Sequence, residues 1–137
     1  MRFILLAAAL TGLVSAADKP TIFQALDEGK LSLVLEGADK GAHIRLTMTN
    51  TGREALSVVL PAGQTRVDVQ QNTIITLNSA EEKAVEIEPG KAASLTADQA
   101  GRLRMMSGKI TITKTPEGKT FNYENAAIGV YREAAAK

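Results

Sequence analysis

The chain has 137 residues, a formal net charge of +1 and no cysteine. That length is enough for one domain with its own hydrophobic core. Nearly balanced charge argues against a nucleic-acid or anionic-membrane partner, because both depend on clustered basic residues, and the lack of cysteine excludes thiol nucleophiles, disulfides and thiolate metal sites.

The first residues have the pattern of a secretory signal peptide. Arg2 supplies a positive charge, an apolar stretch covers residues 3–14, and small residues lead to a cleavage point after Ala16. The stretch is shorter than the ~20 apolar residues that a membrane-spanning helix requires. We therefore expect a signal peptide at 1–16 and a single domain at 17–137, exported to the periplasm or secreted, without stable membrane insertion after cleavage.

A short helix is predicted just after the cleavage point, in the stretch PTIFQALDEG at 20–29. Thr21 and Gln24 have the spacing of a capping box, in which each side chain binds the backbone N–H of the other residue. Gly29 is a suitable residue to end the helix. These signals place the helix at about 20–28.

Beyond the helix, apolar and polar residues alternate as they do in half-buried strands, from about residue 30 to residue 131. The predicted strands are 30–36, 43–50, 55–60, 65–70, 72–78, 84–88, 91–97, 109–114 and 119–125, with a last one through Tyr131. The stretch 98–108 has no clear pattern. These short strands, at intervals of about ten residues, predict an all-β, antiparallel β-sandwich with one short N-terminal helix.

The sequence LPAGQT at 60–65 interrupts this series of strands. A phosphate-binding loop would need a glycine-rich run that opens a helix and carries a lysine. Here a single glycine leads into another strand instead. Pro61 and Gly63 are typical of a corner where the chain leaves one sheet and enters the other.

The sequence contains no recognisable catalytic constellation. His43 is the only histidine, and it lies where a turn meets a strand, so we expect it to be exposed or at an edge. Glu86 and Glu88 alternate with apolar residues and are expected to face solvent. We therefore predict that the protein is not an enzyme and that it has no cofactor or metal site.

One segment has the composition of a contact surface, the run Arg102, Leu103, Arg104, Met105 and Met106. Methionine adapts to varied partner surfaces, and arginine often anchors interfaces. The alternative is that the leucine and one methionine fill the end of the sandwich while both arginines face water.

Several short motifs resemble those of a group of bacterial exported domains. They are QALDEGKLSLVL, TNTGREALSVVLPAGQT, QQNTIITLN and VEIEPGKAASLTA, which lie between residues 22 and 97. The resemblance implies an immunoglobulin-like β-sandwich of unassigned role. It supplies no catalytic residues, and the region after Thr96 departs from the pattern.

Together these features predict a non-enzymatic, exported interaction or structural module whose partner is a protein. Exposed sheet edges could recruit a strand from that partner. The alternative function is a small-ligand or metal carrier in the cell envelope.

Overall fold

The computed structural model describes residues 19–70 and 72–131, so the predicted signal peptide at 1–16 lies outside the described residues. Within these ranges the chain forms one α-helix and nine β-strands. They are α1 (Ile22–Asp27), β1 (Leu31–Ala38), β2 (His43–Asn50), β3 (Leu56–Leu60), β4 (Gly63–Gln70), β5 (Thr73–Ser79), β6 (Lys83–Ile87), β7 (Ala92–Ala100), β8 (Leu103–Thr115) and β9 (Gly118–Val130).

Helix α1 begins with the predicted capping box. The Thr21 hydroxyl accepts the Gln24 N–H at 3.0 Å, and the Gln24 side chain accepts the Thr21 N–H at 2.9 Å. Two N–H groups that the helix itself cannot pair are thereby satisfied. Gly29 follows the helix with φ +76°, as expected for a terminating glycine.

The strands form a seven-stranded sheet in the order β4-β5-β7-β2-β1-β8-β9 and a two-stranded sheet of β3 and β6. All strand pairings in both sheets are antiparallel. The prediction of an all-β, antiparallel fold is therefore confirmed.

The interruption at Pro61–Gly63 is the corner between the two sheets. Strand β3 before it belongs to the two-stranded sheet, and β4 after it begins an edge of the seven-stranded sheet. Gly63 has φ +90°, a backbone conformation that residues with a Cβ rarely adopt. The predicted sheet corner is confirmed.

Alternate residues of the strands form one hydrophobic core. In β1 and β2 the inward residues, Leu31, Leu33, Leu35, Ile44, Leu46 and Met48, are at most 2% exposed. Residues of α1, β3, β4, β5, β6, β7 and β8 complete the same cluster. Burial of this apolar surface is the main stabilising contribution to such a fold.

The seven-stranded sheet curls around this core. Strands β5 and β8 approach each other although they are four places apart in the strand order. The buried Gln99 side chain on β7 also reaches β8: its amide donates to the Met105 carbonyl at 2.7 Å, and its carbonyl accepts the Met105 N–H at 2.8 Å. A third hydrogen bond, of 3.1 Å, joins the amide to the His43 carbonyl.

The C-terminal hairpin is longer than the alternation predicted. The unassigned stretch 98–108 contains the end of β7 and the start of β8, and β9 continues to Val130. The β8–β9 register shifts twice, between Met105 and Ser107 and again between Ser107 and Lys109. These β-bulges disturb the period of two, which explains why the sequence pattern was unreadable there.

Gln99→Leu should lower the free energy of unfolding by about 2–3 kcal/mol, because a buried N–H and a buried carbonyl of Met105 lose their partner. Urea denaturation of the purified protein measures the change. Gln64→Leu, at an exposed β4 position, is the control and should stay within ~0.5 kcal/mol of wild type. Equal losses in both variants would contradict a special role for Gln99.

Thr21→Ala should cost about 1 kcal/mol, because the N-terminal end of α1 loses its side-chain acceptor. Thr21→Ser keeps the hydroxyl and should remain close to wild type in thermal unfolding. If both substitutions destabilise the protein equally, the methyl group rather than the cap is responsible.

Candidate functional site

The run singled out in the sequence spans the bend before β8 and the first residues of that strand. Met105 is fully buried in the core, whereas Leu103, Arg104 and Met106 are half-buried and Arg102 is exposed. The five residues therefore do not share one continuous surface.

Arg104 connects three separate parts of the chain. Its guanidinium donates to the Gly41 carbonyl at 3.2 Å and to the Gly101 carbonyl at 2.9 Å. It also lies 3.7 Å from the centre of the Tyr131 ring, a cation–π distance. These contacts hold the turn before β2 and the end of β9 against the start of β8.

His43 lies between two carboxylates that sequence reasoning did not identify. Its Nδ1 is 2.9 Å from Oδ1 of Asp98, and its Nε2 is 3.3 Å from Oδ2 of Asp39. Asp98 lies opposite His43 in the β2–β7 register, and Asp39 comes from the single 3-10 turn before β2. Both ring nitrogens are engaged, so any ligand of this imidazole would have to displace a carboxylate.

A cleft lies between the two edges of the curled sheet. Strands β4 and β9 stand at opposite ends of the strand order, yet the Tyr123 hydroxyl on β9 donates to the Val69 carbonyl on β4 at 2.8 Å. Val69 lies where the β4–β5 register shifts, and it has no register partner in β5. We call the space beside this contact the edge groove.

The edge groove has a volume of about 590 Å³. Its walls combine apolar and polar side chains of both edges: Asp68, Gln70, Asn72, Ile74, Lys119 and Phe121. Ile74 is 37% exposed and Tyr123 is 42% exposed, which is unusual for such large apolar groups in this chain. An apolar side chain that entered the groove would therefore meet apolar as well as charged neighbours.

A smaller cavity of about 170 Å³ shares Asp68 and Lys119 with the edge groove and extends towards α1. Phe23, Val67 and Ile112 contribute apolar surface there. Lys119 forms an ion pair with Asp27 of α1 at 2.7 Å. The helix therefore closes this end of the space between β4 and β9.

A third cavity, of about 320 Å³, lies against the loop between β2 and β3. Buried Asn50 organises this loop: its amide donates to the carbonyls of Glu54 and Ile87, and its oxygen accepts the Gly52 N–H, each at 2.8 Å. All polar atoms of the Asn50 side chain are thus engaged. The side chain supports the loop and offers no free group to a ligand.

Across residues 19–70 and 72–131, no three histidine, aspartate or glutamate side chains are grouped so that they could hold a metal ion. The same ranges contain no helix that is long and apolar enough to span a membrane.

Sequence reasoning missed both the His43 carboxylates and the edge groove. The groove depends on the curl of seven strands, and its walls come from residues about 50 positions apart. The one local signal was the pair of aromatic residues in FNYEN, because the chain has few aromatic residues and two of them lie two positions apart there.

The chain was compared with protein-family models, curated proteins and solved structures. No family model, no curated protein and no solved structure matches this chain.

Proposed function

We propose that the protein is an exported, non-enzymatic interaction module that binds an extended segment of a partner protein in the edge groove. The observation that carries this proposal is the approach of β4 and β9, two edge strands that face each other without pairing along their length.

An edge strand presents backbone N–H and C=O groups that have no partner in the sheet. An extended peptide can satisfy these groups by adding itself as a further strand, which is a recurrent mode of protein recognition. Strand insertion between two edges requires about twice the 4.8 Å strand spacing. Between β4 and β9 one side chain, Tyr123, bridges the gap at a single point.

The walls of the edge groove favour a particular kind of segment. Successive side chains of a bound strand point in opposite directions, so every second one would enter the groove. Ile74 and Phe121 offer apolar contacts there, while Asp68 and Lys119 provide one charge of each sign. We expect a segment in which apolar residues alternate with polar ones.

Export and the immunoglobulin-like class of the domain belong to the same proposal. The signal-peptide pattern of residues 1–16 supports export, and the motifs between residues 22 and 97 support the class. An antiparallel all-β fold is compatible with that class. An export route would also bring the edge groove into contact with partners outside the cytoplasm.

Site-specific photo-crosslinking tests the proposal. A photoreactive phenylalanine analogue replaces Ile74 in the groove or Val130, which is also apolar and exposed but lies at the far end of β9. In an envelope extract of the source cells, position 74 should give a discrete polypeptide adduct and position 130 should not.

Lys119→Glu removes the positive charge of the groove and breaks the ion pair with Asp27, and should reduce the adduct at position 74. Lys91→Glu, at an exposed position between β6 and β7, makes the same charge change away from the groove and serves as the control. Equal adducts at positions 74 and 130 would contradict the proposal. A bound small molecule in native mass spectrometry, without any adduct, would favour the carrier alternative.

A further inference from the structure

The outer face of the seven-stranded sheet carries a row of alternating charges. Arg45 on β2 lies opposite Glu36 on β1, Glu36 lies opposite Lys109 on β8, and Lys109 lies opposite Glu124 on β9. Residues directly opposite each other point to the same face. We call these four side chains the charge row; across four adjacent strands its signs are plus, minus, plus, minus.

The charge row faces away from the core. Its members alternate along their strands with the buried residues of β1, β2 and β8, and Arg45, Lys109 and Glu124 are exposed. None of the ion pairs that join described residues includes a member of the row. The sheet thus presents an ordered pattern of charge to its surroundings.

On one side of the charge row the side chains are mostly small. The neighbouring row, also in register, consists of Ser94, Thr47, Val34, Thr111 and Asn122. Short and β-branched side chains have few conformations to lose when a surface binds. They also allow a second surface to approach until the longer charged side chains make contact.

We propose that this face binds a second copy of the chain through a two-fold axis parallel to the strands, between β1 and β8. Rotation about that axis exchanges the two ends of the charge row. Arg45 then faces the partner's Glu124, and Glu36 faces the partner's Lys109. Symmetry repeats both contacts, so the interface contains four pairs of opposite charge.

Charge complementarity selects this axis. A two-fold axis along the row, perpendicular to the strands, would place each charged side chain opposite the same side chain of the second copy. All four contacts would then be between like charges. Like-charge juxtaposition suppresses wrong arrangements in protein interfaces. A sequence of plus, minus, plus, minus is complementary to itself only when its direction is reversed.

The size of the face fixes the expected strength. Five strands about 4.8 Å apart, each with three outward residues about 6.7 Å apart, would cover at most roughly 400–500 Å² if they were flat. The curl makes the outer face convex, so two such faces bury less than this. Stable complexes bury about 800 Å² per partner. We therefore expect a weak dimer that dissociates as salt is raised, because exposed charges are screened. This inference is independent of the edge groove.

Charge reversal tests the interface by sedimentation equilibrium of the purified protein. Arg45→Glu and Glu124→Arg should each raise the dimer dissociation constant at least about tenfold, because two attractive contacts become repulsive. Mixing the two variants should restore association, since position 45 of each then faces the opposite charge at position 124 of the other. Within one chain these positions are three strand spacings, about 14 Å, apart, so local pairing cannot explain a recovery.

The double variant Arg45→Glu with Glu36→Arg is the matched control. It keeps the composition and net charge of the wild type and an opposite charge beside position 45, but it makes all four contacts of the dimer repulsive. It should remain monomeric, and far-ultraviolet circular dichroism should confirm that it is folded. A wild-type protein that stays monomeric at high concentration and low salt would overturn the inference, as would a mixture of the two single variants that fails to associate.

Discussion

The structure depends on the curl of its large sheet, and the hydrogen bonds of Gln99 show that curl most directly. Strands β7 and β8 are separated in the sheet by β2 and β1. The Gln99 amide nevertheless bonds directly to both backbone groups of Met105 from a position that is 4% exposed. A flat sheet would hold strands three places apart about 14 Å from each other. The hydrogen bonds can form only when the sheet bends around the core.

The curl has two consequences for function. It encloses one face of the sheet, so the inward residues of nearly all the strands contribute to a single core and the outward residues remain in water. It also brings β4 and β9 together, which are the two strands that sheet order alone would place furthest apart. The exposed face and the approach of the two edges are therefore products of the same bend.

Local chemistry predicted much of this fold. The capping box at Thr21, the corner at Pro61–Gly63 and the alternation in β1 and β2 all depend on residues close in sequence, and each is found where it was expected. The start of β8 was not predictable, because bulges near Ser107 break the period on which strand prediction relies.

The candidate sites were harder to predict for a different reason. The edge groove, the His43 carboxylates and the charge row each combine residues from strands that are distant in sequence. Their positions follow from strand order and register, which a single sequence does not determine. Arg104 illustrates the same limit. The composition of the run 102–106 suggested that Arg104 contacts a partner protein. In the fold its guanidinium instead holds Gly41, Gly101 and Tyr131 together.

Strand β9 contributes to both of the proposed binding surfaces, and its alternation keeps them from interfering. Successive side chains of a strand point to opposite faces. Tyr123 therefore reaches across to β4, while Glu124, the next residue, belongs to the charge row on the outer face. A second copy on the outer face would leave the groove open, and a strand in the groove would leave the charge row exposed. Period-two alternation thus keeps the two surfaces structurally separate.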